Sequence, residues 1–174
     1  PVMRVVSGEF GGRRLTTPPG NDTRPTTDKV RQAVFNSLES AGLLDGAIVA
    51  DLFAGSGAMG IEAISRGAAR CTFVEKDRAA LTALRENLAA LDLGHRSEVI
   101  AGDAVHAADR LGPIDLVLAD PPYSFDGWAD LLGRIAAGDV IAESDREIEA
   151  PEGWESLRSR RYGRTVITRL RRIA

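Results

Sequence analysis

Four consecutive residues, Asp120-Pro121-Pro122-Tyr123, follow the apolar run Ile114-Asp115-Leu116-Val117-Leu118 and end it on a carboxylate and a rigid corner. Proline has no backbone N–H and a fixed φ, so the carbonyls of such a corner are aimed in one direction with no internal donor attached. A planar exocyclic amino group carries two hydrogens and a lone pair drawn into its ring. If the Asp120 carboxylate and the Pro121 carbonyl each accept one hydrogen, the nitrogen gains sp³ character and its lone pair turns toward an electrophile. Pro122 completes the corner, and Tyr123 offers a ring on which a planar base can stack. Taken alone, the same residues also read as a strand-ending turn.

A second constellation lies upstream and weighs toward chemistry. Asp51-Leu52-Phe53-Ala54-Gly55-Ser56-Gly57 follows an apolar run and leads into a helical pattern, with Gly55-x-Gly57-x-x-Gly60 at the spacing of a nucleotide fingerprint. Twenty residues after Gly55 the next apolar run ends in Glu75, where an acid can accept bonds from ribose hydroxyls. A dinucleotide would set its pyrophosphate on the helix N-terminus, whose dipole favours anions. S-adenosylmethionine has no phosphate and carries a sulfonium, and an acid just before the loop favours it. Asp51 is that acid, available to an amino group directly or through a water. Asp103 ends a third apolar run, where with the Ala104 N–H it can read an adenine edge. It can also cap the helix that follows, and both roles can hold at once.

These groups need a scaffold that brings them to one edge. From Ala47 onward, apolar runs alternate with helical patterns: strands at 47–53, 71–75, 97–102, 114–120 and 139–144, helices near 58–66, 78–91, 104–110 and 127–136. Such alternation predicts an α/β fold with a parallel sheet covered on both faces. The segments 156–163 and 164–172 read as a terminal antiparallel hairpin turning at Gly163. Residues 136–143 leave little room between helix and strand. Ahead of the sheet, Val30, Val34, Phe35 and Leu38 follow a Thr or Asp cap at helical spacing. Residues 1–20 read as a β-ribbon and linker turning at Gly11-Gly12 with a basic tip, and residues 21–174 as the main domain.

Composition bounds the rest. The 174 residues, 44% hydrophobic and 27% charged, suit one ordinary globular domain. No apolar run approaches the roughly 20 residues that span a bilayer, and the first residues lack a secretory pattern, so a cytoplasmic monomer with no membrane contact is expected. Cys71 has no cysteine partner and reads as a buried structural thiol; neither histidine has a companion at ligand spacing, so no metal is expected. The formal charge of −3 is polarised. Residues 1–31 hold six bases against three acids, and residues 157–174 hold seven arginines and no acid, leaving nine bases and 22 acids between them. Basic ends on an acidic body suggest a polyanionic partner met at one face; solvated charge is the plainer reading.

Together these segments resemble the class I S-adenosylmethionine-dependent methyltransferases of the amino-methylating type. VVSGEFGGRRL (5–15), RPTTDKVRQAVFNSL (24–38), DLFAGSGAMGIEAISRGA (51–68), FVEKD (73–77) and LADPPY (118–123) occur in the order found in one family, the bacterial 16S rRNA guanine-N2 methyltransferases of the RsmD type. The resemblance covers nearly the whole chain, and RPTTDKVR is its most specific element. It implies a Rossmann-like sheet of seven strands with an antiparallel last strand. It implies that Arg24 and Thr27 close over S-adenosylmethionine, that Phe53, Ala54, Gly55, Ser56, Gly57, Glu75 and Lys76 hold it, and that Asp120 to Tyr123 face a guanine of 16S rRNA in the small ribosomal subunit. Arg4, Arg13 and Arg14 would grip the RNA backbone. Amino methylation of adenine N6 or of a protein glutamine keeps every cofactor residue, but 174 residues leave no room for a separate target-recognition domain. A dinucleotide-dependent oxidoreductase, or a nucleotide-binding module without catalysis, is the third reading.

Overall fold

The computed structural model describes residues 3–19 and 27–173. Its centre is a seven-stranded sheet made of β3 (Ile48–Leu52), β4 (Arg70–Glu75), β5 (Ser97–Ala101), β6 (Ile114–Ala119), β7 (Ala137–Ser144), β8 (Trp154–Tyr162) and β9 (Thr165–Arg172). The spatial order is β5-β4-β3-β6-β7-β9-β8, parallel except for β9, which runs against both of its neighbours. A two-stranded antiparallel ribbon, β1 (Met3–Arg4) and β2 (Arg14–Leu15), lies apart from that sheet. The chain thus has the Rossmann-like architecture expected, including the antiparallel last strand.

Helices cover both faces. On one face α1 (Asp28–Ser40), α2 (Ala58–Ser65) and α3 (Arg78–Ala90) pack Phe35, Leu38, Ile61, Ile64, Leu84 and Leu88 against Val49, Phe73, Leu116 and Leu118. On the other, α4 (Ala104–Ala108) and α5 (Trp128–Arg134) set Ala107, Trp128, Leu131 and Leu132 against Ala50, Leu52, Val117 and Val140. The period-two alternation of strand side chains explains why neighbouring residues feed opposite cores, and burial on both faces explains the near-continuous apolar runs. Helix α1 starts where the Thr27 hydroxyl accepts the Val30 N–H at 3.2 Å and stops at Gly42, whose φ of +71° ends the helical path.

The ribbon is fastened to the body of the domain. Val5 and Leu15 are buried in the first core, and the turn between the strands rests on α2. Both oxygens of the fully buried Glu62 accept ribbon amides, Val6 N–H at 2.8 Å and Ser7 N–H at 3.1 Å. Glu62 also lies 3.4 Å from the Nε of buried Arg31 and 2.8 Å from the Nε of Arg66. One buried carboxylate therefore joins the ribbon, α1 and α2. Arg4 and Arg14 face each other in the ribbon and Arg13 leads out of the turn, whose residues from Ser7 to Gly12 face Ser65 through the Phe10 and Glu9 amides. Tip residues need small side chains at the contact, and a Cβ on Gly8 would sit 2.0 Å from the Ser65 carbonyl oxygen.

Of residues 136–143, expected to be cramped, all but Ala136 lie in a regular strand. Helix α5 ends at Arg134, earlier than the periodicity suggests, and only Ile135 and Ala136 link it to β7. Strand β7 then pairs with β6 on one side and β9 on the other along its length. Shortening the helix, rather than the strand, absorbs the missing chain length.

Candidate active site

Parallel pairing in register decides where the strand ends fall. Leu52 pairs with both Val74 and Ala119, and Glu75 pairs with Ala101, so β3, β4, β5 and β6 stop at one level. Asp51, Glu75, Asp103 and Asp120, drawn from four separate stretches of sequence, therefore share the carboxyl edge of the sheet. Open α/β sheets take their ligands at this edge, beside the point where strand order reverses. In this sheet the reversal lies between β3 and β6.

The loop from Phe53 to Gly57 supplies the edge with backbone. Phe53, Gly55 and Gly57 all have positive φ (60°, 59° and 90°), a conformation that costs Phe53 energy and costs glycine little. Ala54 N–H is tied to the Val74 carbonyl and Gly57 N–H to the Ala54 carbonyl. Gly57 and Gly60 are required for a further reason: a Cβ on Gly57 would come within 2.5 Å of Leu84, and one on Gly60 within 2.4 Å of Phe73. The third glycine of the fingerprint lets α2 lie directly on β4.

Glu75 anchors this loop. Its Oε1 accepts the Gly55 N–H at 2.7 Å, and its Oε2 accepts the amides of Lys76 and Asp77 at 3.0 and 2.8 Å. Lys76 itself is exposed. Asp51 is buried and accepts the Gly60 N–H at 2.9 Å through Oδ2. Burial pushes its carboxyl well above the usual carboxylate range, the Gly60 amide opposes the rise, and the negative fields of Asp120, Glu75 and Glu143 add to it. Glu143 is buried near the end of β7, and sequence reading missed it. Asp103 caps α4 by accepting the His106 N–H at 3.1 Å, and Ala104 is buried behind it.

Beyond β6, Asp120 is half-buried, Pro121 buried and Pro122 exposed. The Pro122 carbonyl accepts the Phe125 N–H at 2.9 Å, closing a turn over Tyr123 and Ser124. Tyr123 exchanges a hydrogen bond with the Thr165 hydroxyl at 3.2 Å, and Arg146 donates to the carbonyls of Tyr123 and Phe125 at 3.3 Å each. Phe125 packs edge-on against Phe53, 5.1 Å between centroids, and against Trp128, 5.3 Å. The turn is thus fixed by partners distant in sequence. Phe53 and Phe125 are the only signal of this in the sequence, as half-exposed aromatics beside each motif; Arg146 and Thr165 carry none.

Of the remaining expected residues, Thr27 lines a groove together with Tyr123, and Ser56 meets the ribbon at Met3, with Oγ 3.9 Å from Sδ. Arg24 lies outside the described residues. Arg4 donates to the Gly12 carbonyl and Arg13 to the Ala90 carbonyl, each at 3.1 Å, while Arg14 is exposed. Cys71 is buried under Gly60, and burial raises its thiol well above the ordinary value, with the charge of Asp51 adding to it. An un-ionised thiol in a packed core is inert. Among the described residues no cluster of three or more metal-ligating side chains occurs, and no helix is long and apolar enough to cross a membrane.

Among the described residues, the edge offers bent backbone with small residues, the carboxyl groups of Asp51, Glu75, Asp103 and Asp120, and an α2 that carries no basic side chain. A pyrophosphate would meet unfavourable charge there. A neutral adenosine carrying a positive sulfonium and ammonium meets a matching field.

Comparison with known proteins agrees with this geometry. Residues 3–171 match the family profile described as conserved hypothetical protein 95. The chain is 41% identical to YlbH of Bacillus subtilis, provisionally named an rRNA methyltransferase, over 95% of this chain and 96% of that protein. It is 41% identical to the ribosomal RNA small subunit methyltransferase D of Escherichia coli K12, over 70% of this chain and 60% of that protein. Among solved structures, the Escherichia coli protein yhhF, provisionally a methyltransferase, superposes with a TM-score of 0.86 at 34% identity, covering 100% and 99% of the two chains.

Proposed function

From the premise that this chain belongs to the conserved hypothetical protein 95 family, whose members include proteins named as rRNA methyltransferases, we propose that it methylates small-subunit rRNA. The finer reading is transfer from S-adenosylmethionine to the N2 amino group of a guanine in 16S rRNA. The observation that carries it is the convergence of the Asp120-Pro121-Pro122-Tyr123 corner with the acidic, glycine-lined edge between β3 and β6.

When bound, S-adenosylmethionine supplies a methyl group activated by its sulfonium. Asp51 would attract its ammonium, Glu75 its ribose hydroxyls, and Asp103 with Ala104 its adenine edge. Phe53 to Gly57 would line its path with close backbone, and Lys76, Arg24 and Thr27 would border it. Asp120 and the Pro121 carbonyl would each accept one hydrogen of the guanine amino group, raising electron density on nitrogen. Acceleration comes chiefly from orientation and from stabilising the positive charge that forms on that nitrogen. The product ammonium is acidic enough to lose its proton to water or to Asp120. Tyr123, its hydroxyl held by Thr165, would support the base once it is unstacked from the RNA. Arg4, Arg13 and Arg14 on residues 1–20 would contact phosphates, leaving residues 21–174 as the catalytic domain of a cytoplasmic monomer.

The test is incubation with radiolabelled cofactor and small subunits from a methylation-deficient strain, followed by digestion of the RNA. The expected label is N2-methylguanosine. Label in N6-methyladenosine, or the absence of RNA label under conditions where the protein binds cofactor, refutes the reading.

A further inference from the structure

The same topology that aligns β3 to β6 also carries a second, unassigned feature to the catalytic edge. Strand β9 is antiparallel to β7 and β8 antiparallel to β9, so β8 points the same way as β6 and the β8–β9 turn, Tyr162-Gly163-Arg164-Thr165, emerges at the carboxyl edge. It borders a groove of about 680 Å³ that Thr27, Lys29 and Val30 at the start of α1 and Tyr123 also line. The 3.2 Å contact between Tyr123 and Thr165 makes the groove continuous with the Asp120 corner. Tyr162 is half-buried, and the Arg160 guanidinium lies 5.6 Å from its ring centroid. Arg158, Arg160, Arg161 and Arg164 are exposed, and no acid occurs from residue 157 onward.

We infer that this groove takes the RNA strand flanking the target base, with Tyr162 as a stacking platform for a neighbouring nucleotide and Lys29, Arg160 and Arg164 as its phosphate contacts. The inference rests on the reading of the chain as an RNA methyltransferase. Two features favour a single strand over a duplex as the occupant. An aromatic ring serves an unstacked base, and the guanidinium beside the ring adds a planar cation of the kind that single-stranded tracks use. The β8 edge strand explains the charge in another way only in part. Arginines on an edge deter strand-to-strand association, but that role does not call for a tyrosine beside the catalytic turn.

The test uses the full chain and small subunits from a methylation-deficient strain, with single-turnover methylation measured against subunit concentration and salt. For R160A/R164A the half-saturating subunit concentration should rise at least about tenfold, and the salt slope should shrink by about 0.7 for each lost contact. Tyr162→Leu should raise it about tenfold and Tyr162→Phe little. The limiting methylation rate and the calorimetric affinity for S-adenosylhomocysteine should stay within twofold. Unchanged half-saturation in both R160A/R164A and Tyr162→Leu overturns the inference alone, as does a fall in cofactor affinity without a fall in RNA affinity. A wild-type protein that labels no RNA overturns the functional reading and this inference together.

Discussion

Phe53 and Phe125 meet edge to face, with ring centroids 5.1 Å apart and planes at 64°, and so join the glycine loop after β3 to the turn after β6. Each ring sits in a loop that could not fix its own shape. Phe53 is held at a φ of +60°, and the turn around Tyr123 is closed by the bond from the Phe125 N–H to the Pro122 carbonyl. The contact makes the two halves of the site one unit. Phe125→Ala should therefore cost about 2 kcal/mol of stability, less than a fully buried phenylalanine, as read from the denaturant midpoint. It should also lower the methylation rate more than it lowers cofactor affinity.

Asp120→Ala should reduce methyl transfer by about 100-fold or more while the dissociation constant for S-adenosylhomocysteine stays within twofold. Radiolabel transfer and calorimetry on the same preparation separate the two. Equal loss of both would assign Asp120 to cofactor binding.

Asp51 gives a pH signature. Its carboxyl is raised in the folded state by burial and by its acidic neighbours, so the folded chain holds a proton that the unfolded chain releases. Stability from this group is complete below the ordinary carboxylate value and declines as pH climbs toward the raised one. Thermal melts of Asp51→Asn should show a flatter dependence than wild type as pH rises from the ordinary carboxylate range toward the raised value. A bound ammonium prefers ionised Asp51, so wild-type cofactor affinity should rise with pH through the same window, and that of Asp51→Asn should not.

Gly60→Ala should destabilise by about 1–3 kcal/mol, because its methyl group would press on the buried ring of Phe73 and on Cys71. The denaturant midpoint reads the loss. A neutral outcome would mean that α2 can slide on β4.

Glu62→Ala should cost about 3–5 kcal/mol, since it removes the buried partner of two guanidinium groups, leaving each with a partly exposed acid, and strips two ribbon amides of their acceptor at once. Hydrogen exchange should show the Val6 and Ser7 amides losing protection before the central strands do. Uniform protection loss would instead mean that ribbon and sheet open as one unit.

The sequence alone determined the parts whose cause is local. Strand and helix order follow from period-two and period-3.6 patterns, the glycine loop from its spacing and flanking elements, and Asp51, Glu75, Asp103 and Asp120 from acids that end apolar runs. Helix α1 was legible through its cap and its Val30, Val34, Phe35 and Leu38 stripe, yet the same stripe gives no hint that Arg31 is fully buried. Only the tertiary structure decided which of these pieces meet. Arg146 reaches the turn from 21 to 23 residues away, Thr165 reaches Tyr123 from 42, and Glu62 binds a ribbon 55 and 56 residues before it. Such contacts depend on strand order and on the direction of β9, which spacing along a chain does not carry. Only that strand order sets a basic hairpin at the end of the sequence beside a turn in its middle, where Thr165 meets Tyr123.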